Sequence, residues 1–375
     1  MQHRTGQNDD SILTIDRFVP HISTVPANAG KLVALHLRER VLASRVSRSG
    51  DAPMGVVLFV HGGFLPGTLA YDLAYKDYSA AATFARAGYD CFILTLTGYG
   101  SSPKPMMDDP ANVDAHFQHL LIPHILKEPV SPRYPFKLVS SRSEFDEIET
   151  AVAFIRDLRK VERLSVYGWS TGAPRVGGFA ALHPELVDKV ILVCPAPFFP
   201  SDAPPVAIPE PGAPTLLQTR EFLFEERWQA DVRVEGQIEH PEIRDVLWTG
   251  LMLEDGLGAE WAADERGVMR APNRMNYGWR ANAANIRAPT LIMLGEFDNY
   301  QKRRDSWHGL KSTEDKVFVR IGAASHFAMF EHARRALHRH GLEWLASGTV
   351  GGARSGEFHS DRDGALFPLD GTEKS

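Results

Sequence analysis

Cysteine is scarce in this sequence: Cys91 and Cys194 are the only two in 375 residues, and each lies within an apolar run. A disulfide framework and a four-ligand zinc site are therefore excluded, and both residues read as buried, reduced thiols. Positive charge is not in excess either. Lys and Arg number 41 against 47 Asp and Glu, a formal net charge of −6, which is not the footprint of a nucleic-acid binder. No apolar run approaches the roughly 18 residues of a membrane span, and Met1 to Asp16 lacks the apolar stretch that a signal peptide needs. No repeat of fixed period is present, so a solenoid is excluded. The expectation is a soluble, cytoplasmic protein with no nucleic-acid or membrane partner.

What the chain does hold is apolar residues, 43% of the total, enough for a large buried core. They recur in short continuous runs: Val56 to Val60, Cys91 to Leu94, Leu164 to Tyr167, Val190 to Cys194, Leu291 to Leu294 and Val317 to Val319. Strands buried on both faces of a parallel sheet read this way. Lys31 to Val41 alternates loosely and predicts an antiparallel hairpin at the sheet edge. Phe145, Ile148, Val152, Ile155 and Leu158 recur at helical spacing behind Ser141 and Ser143 as candidate caps. Phe330, Ala333, Leu337 and Trp344 mark a second helix ending near Gly348. Alternating strands and helices predict an α/β fold with a mostly parallel sheet flanked by helices.

Two stretches interrupt this rhythm. Gly98 to Ser140 carries seven prolines and is too long for an ordinary connection, so it is expected to cover something. Pro195 to Pro214 holds eight prolines in 20 residues and opens a segment reading as an inserted cap. The expected organisation is a core from 1–196 and 288–346, a cap or lid from 197–287, and a tail from 347–375. The tail is rich in glycine, serine and charge, and is expected to be poorly ordered unless Leu366 and Phe367 dock.

Gly168-Trp169-Ser170-Thr171-Gly172 is a G-x-S-x-G pentapeptide between an apolar strand and a helical segment. There the two glycines would let the backbone make a sharp turn and leave the serine hydroxyl exposed at the carboxyl edge of the sheet. A serine hydroxyl needs a base, and the base needs a carboxylate to fix its tautomer. Asp298 follows the strand Leu291 to Leu294, and His326 follows the strand after it, giving the chain order Ser170, Asp298, His326 on one edge. Glu296 competes with Asp298, and the turn position favours Asp298. Among 15 histidines, His61 reads as a brace for its own loop. His116, His119 and His124 lie in the proline-rich connection without metal-ligand spacing, and His338 and His340 cannot face one another on a helix. Oxyanion-hole donors are expected from the amide of Thr171 and from the loop His61-Gly62-Gly63-Phe64, at Gly63 or Phe64. Activity would then fall in acid as the histidine protonates, near the ~6.5 of an unperturbed imidazole.

HGG at His61 to Gly63, GYGSS at Gly98 to Ser102, GWSTG at the elbow, PTLIMLGEFD before the acid and ASHF at the base together resemble the α/β-hydrolase superfamily. The resemblance covers residues 50 to 345. It implies an eight-stranded sheet, a cap inserted after the sixth strand, and no metal or organic cofactor. The nucleophile is serine where dehalogenases and epoxide hydrolases of the superfamily use aspartate. Ala173-Pro174 after the elbow and Leu94-Thr95 at the end of a strand depart from the frequent family pattern. The expected activity is that of an esterase acting on a small, apolar molecule. Lactone, thioester, amide and carbon–carbon bond cleavage stay open, as does a non-catalytic receptor on the same fold. Trp169, Trp248, Tyr277 and Trp279 are candidate pocket walls, and Trp228 and Trp261 belong to the same aromatic-rich segment; its own small core is the alternative use. No cluster of arginines points to a phosphate-bearing or polyanionic substrate, and single residues such as Arg175 or Arg280 stay open as contacts for a substrate anion. Oligomeric state is not legible.

Overall fold

The computed structural model describes residues 11–46, 54–196, 207–262, 264, 266–275, 283–298 and 307–369. All six apolar runs are strands. In chain order they are β3 (Val56–Val60), β4 (Asp90–Leu94), β5 (Leu164–Trp169), β6 (Val187–Val193), β9 (Thr290–Gly295) and β10 (Lys316–Ile321), preceded by β1 (Ile12–Ile22) and β2 (Leu32–Leu42). With β11 (Gly356–Ser360) and β12 (Leu366–Pro368) they form one sheet in the order β1-β2-β4-β3-β5-β6-β9-β10-β11-β12. The predicted edge hairpin is β1 and β2, antiparallel to each other, with β2 antiparallel to β4. From β4 through β11 every neighbour is parallel.

Among the described residues the sheet therefore has ten strands, two more than the eight expected. The extra pair comes from the tail. Leu366 and Phe367 dock as part of β12, antiparallel to β11, and β11 pairs in parallel with β10. Ser360 is buried and its hydroxyl meets His340 Nε2 at 2.9 Å, which ties the tail to the last helix.

The helix Ser141–Arg159 starts one residue earlier than its expected caps: Ser140 Oγ accepts from the Ser143 amide, and Ser143 Oγ accepts from the Ser140 amide. This reciprocal capping satisfies two donors that a helix start leaves free. The helix packs against Gly172–Leu182, where a side chain at Gly178 would collide with the Phe145 ring. The helix Ala80–Arg86 meets Arg334–Ser347 at Phe84, and the latter ends at left-handed Gly348, as its sequence predicts.

Between β6 and β9 the chain forms β7 (Thr215–Gln218), a π-helical segment Glu221–Trp228, helices Ile243–Glu254 and Gly256–Trp261, and β8 (Met269–Pro272), which pairs with β7. Phe224, Trp228, Leu247 and Trp248 from this segment pack into the main core. Trp261 instead joins Val113, Leu121, Leu217 and Val268 in a smaller cluster. The proline-rich 98–140 stretch thus covers the inserted segment, and isolated bridges at Val113 to Thr215 and Val139 to Arg274 stitch the two together. No helix among the described residues is long and apolar enough to cross a membrane.

Candidate active site

The turn from β5 into the helix Gly172–Leu182 forces Ser170 into the left-handed region, with φ of 57°. Few non-glycine residues sit there, so the surroundings must hold it. Ser170 donates its amide to Val193 O at 3.0 Å, and its carbonyl accepts from Ala196 N at 2.9 Å. Both flanking glycines are sterically required: a Cβ at Gly168 would run into the carbonyl of Gly172, and one at Gly172 into those of Val60 and His61. Gly172→Ala is accordingly expected to destabilise the fold by on the order of 3 kcal/mol, measured by urea unfolding.

Asp298 lies in the turn after β9, where its amide bonds to Gly295 O at 3.1 Å and the Phe297 amide to Ala324 O at 2.8 Å. His326 follows β10. Its Nδ1 is 2.8 Å from Asp298 Oδ2 and its Nε2 is 2.9 Å from Ser170 Oγ, with all three side chains buried. A carboxylate only accepts, so Nδ1 carries the proton and the Nε2 lone pair faces the serine hydroxyl. That arrangement can draw the proton from Oγ as the oxygen attacks. Glu296 does not reach the imidazole; its Oε2 accepts from the Ala323 amide at 3.0 Å and steadies the histidine loop.

Trp169 is buried, donates Nε1–H to His326 O at 2.9 Å, and lies with its ring 5.4 Å from the imidazole. From that buried position it braces the histidine. Trp248 is also a core residue, donating its indole N–H to Arg266 O. Tyr277, Trp279 and Arg280 lie outside the described residues. Cys194, just beyond β6, is a buried thiol that donates to Ser325 O at 3.7 Å, and its Sγ lies within 4.8 Å of donor atoms of Asp298 and His326. These are metal-capable donors, but the Asp298 and His326 atoms are engaged in the hydrogen bonds just described.

The loop His61 to Phe64 runs beside Ser170 and Thr171. A Cβ on Gly63 would sit 3.3 Å from Thr171 Oγ1, and one on Gly62 would sit 3.0 Å from Ser170 Cβ. The carbonyls of its first three residues are all held by side chains. Arg175 Nη1 donates to His61 O at 2.8 Å and Gly62 O at 3.0 Å, and Tyr99 Oη donates to Gly63 O at 2.8 Å. Because the peptide unit is planar and trans, fixing the Gly62 and Gly63 carbonyls turns the amides of Gly63 and Phe64 to the opposite side. His61 braces the loop as expected, with Nδ1–H donating to Gly62 O at 2.7 Å and Nε2 accepting from the Leu96 amide at 3.1 Å. Burial, with Arg175 nearby, pushes its pKa down to about 3, which keeps the ring neutral.

Arg175 is thus a buried structural residue and not an anion contact for substrate. Its Nη2 donates to Glu144 Oε1 at 2.6 Å, and Arg274 reaches the same carboxylate at 2.7 and 3.0 Å. Burial would raise the Glu144 pKa, but the two arginines override it and hold it at about 2. Its contribution to stability is therefore complete above the ~4.3 of an unfolded glutamate and is lost as pH falls toward about 2. Glu144→Gln is expected to cost about 3–5 kcal/mol near neutral pH, because it leaves two arginines short of their partner. Denaturant unfolding as a function of pH checks both the size and the acid dependence.

Sheet order, sharp turn and converging Ser, His and Asp side chains are those of a hydrolase-type α/β fold. The sequence profile of the alpha/beta hydrolase fold family matches residues 55–246, and the chain belongs to that family. A search of curated protein sequences finds no match. Among solved structures, the chain is similar to the CarC serine hydrolase of carbazole degradation, with TM-score 0.51, 16% identity, and 89% and 99% of the two chains covered. It is similar to a thermophilic esterase from Thermogutta terrifontis at TM-score 0.50 and 16% identity, covering 88% and 98%. Rv0554 from Mycobacterium tuberculosis matches at TM-score 0.50 and 13% identity, with 88% and 98% covered. At these identities the likeness concerns the fold.

Proposed function

We propose that the protein is a cofactor-independent serine hydrolase that cleaves a carboxylic ester of a small, apolar molecule. The observation carrying this reading is the unbroken hydrogen-bond line Asp298 Oδ2, His326 Nδ1, His326 Nε2, Ser170 Oγ, at 2.8 and 2.9 Å. Ser170 attacks the acyl carbon as its proton passes to His326. The imidazolium, steadied by Asp298, returns that proton to the leaving alkoxide. Water, deprotonated by the same histidine, then releases the acid from the acyl-enzyme. The amide of Thr171 and that of Gly63 or Phe64 stabilise the negative oxygen of the tetrahedral intermediate. The segment 197–287 acts as the cap. Supporting this, Trp228 stacks on Phe327, next to His326, at 4.9 Å, and the Arg227 guanidinium lies 4.5 Å over the Phe64 ring.

The bond cleaved is decided by a turnover screen over p-nitrophenyl esters of increasing chain length, lactones, thioesters, amides and vinylogous diketones, with Ser170→Ala as control. Preferential turnover of short or medium apolar esters is the expected result. No turnover of any class, together with no labelling by a fluorophosphonate, would replace this reading with that of a non-catalytic receptor.

A further inference from the structure

Glu331 lies five residues beyond His326, is fully buried, and belongs to none of the groups assigned above. Its Oε1 accepts from Ser325 Oγ at 2.6 Å, from Trp228 Nε1 at 2.8 Å and from Gln237 Nε2 at 3.0 Å. Its Oε2 accepts from the Ser325 amide at 2.8 Å. Ser325 Oγ in turn accepts from the Phe327 amide at 3.0 Å. One carboxylate therefore controls the residue before the histidine directly and the residue after it through one hydroxyl.

The chemistry of the partners matters. All four groups reaching the carboxylate are donors, and an ionised carboxylate, which only accepts, is the species that satisfies them together. Burial raises the pKa of this acid, and its hydrogen bonds oppose the rise. The Arg334 guanidinium bonds to the Glu331 carbonyl at 3.0 Å, not to its side chain. Two of the four donors, Trp228 and Gln237, come from the segment inserted between β6 and β9, and the other two come from Ser325. The carboxylate is the joint at which that segment grips the histidine loop, and the Trp228 ring stacked on Phe327 closes the same joint from the side.

We propose that Glu331 is a positioning residue that sets the imidazole of His326 against Ser170 by clamping Ser325 to the inserted segment. The inference rests on the assignment of Ser170 and His326 above. Glu331→Gln presents an amide N–H₂ to one or more of these donors, so the loop must shift to part them, and a misplacement of about 1 Å costs on the order of 10²-fold in rate.

The test compares wild type with Glu331→Gln, Trp228→Phe and Ser325→Ala. It reads the rate constant of fluorophosphonate labelling at Ser170, kcat and KM on the best ester, and the folded fraction at assay temperature. Glu331→Gln should label roughly 10- to 100-fold more slowly, with kcat falling in parallel, KM within about twofold and the folded fraction unchanged. Trp228→Phe keeps the stacked ring but lacks the N–H, and Ser325→Ala keeps the amide contact but lacks the hydroxyl; each should lose a few-fold. A wild-type labelling rate in Glu331→Gln, a loss that merely follows the folded fraction, or a change confined to KM overturns the proposal. If Glu331→Gln does not fold, wild-type rates in both other variants overturn it. If the wild type itself is not labelled, the assignment of Ser170 fails. The clamp is then judged by the downfield His326 Nδ1–H proton resonance, which Trp228→Phe and Ser325→Ala should displace and whose constancy would refute it.

Discussion

Replacing Ser170 by alanine is expected to lower kcat by at least about 10⁴-fold, while thermal and urea unfolding stay close to wild type. The size follows from chemistry. With the hydroxyl gone, His326 has only water to activate, and water is not held at an attacking angle by a strand-to-helix turn. Residual turnover would come from the amides that stabilise the oxyanion and from substrate binding alone. Alanine differs from serine by one oxygen, so it occupies the turn at φ of 57° with much the same strain. Mass spectrometry after fluorophosphonate treatment should show one adduct per wild-type chain and none on the alanine variant. An adduct elsewhere, or retained turnover, would move the nucleophile.

Asp298→Asn should come close behind, with a loss of about 10⁴-fold in kcat, whereas Glu296→Gln should stay within a few-fold. An asparagine that turns its amide N–H₂ toward Nδ1 makes that nitrogen an acceptor, so the ring proton moves to Nε2. The nitrogen 2.9 Å from Ser170 Oγ then carries a hydrogen and cannot take another from the serine. Glu296 is only two residues away, yet its job is to accept one amide hydrogen bond from Ala323, which the carbonyl of glutamine does equally well. Steady-state kinetics on the preferred ester ranks the two variants, and the reverse ranking would transfer the role of the acid to Glu296.

Much of the architecture was legible because the buried strands announce themselves as unbroken apolar runs. Val56 to Val60 or Leu291 to Leu294 leave no face for solvent, and the groups of interest follow immediately where such runs end. Two kinds of feature carry no such signal. The tail strand Gly356–Ser360 is half-buried and mostly polar, with pairing as its reason to exist, so it has no hydrophobic signature. Interior charge was the other. Arg175 and Glu331 look like surface residues in a sequence, since burial of either is tolerable only with partners contributed by distant segments. Glu144 is 31 positions from Arg175, and Trp228 is 103 from Glu331. Neither pairing exists until the helices and the inserted segment have packed. The bracing role of Trp169 is hidden for a similar reason: its neighbour across the fold, His326 O, is 157 positions away.

The two terminal strands carry a consequence for how the protein behaves in a test tube. Without them, β10, whose central residues Val317, Phe318 and Val319 are fully buried, would become the sheet's border. A gene shortened after the helix Arg334–Ser347 would leave that border with unpaired amides and carbonyls, a template on which a second molecule could lay its own chain. Such a truncated protein should precipitate or dimerise on expression, and its fault would be stickiness rather than any missing chemical group.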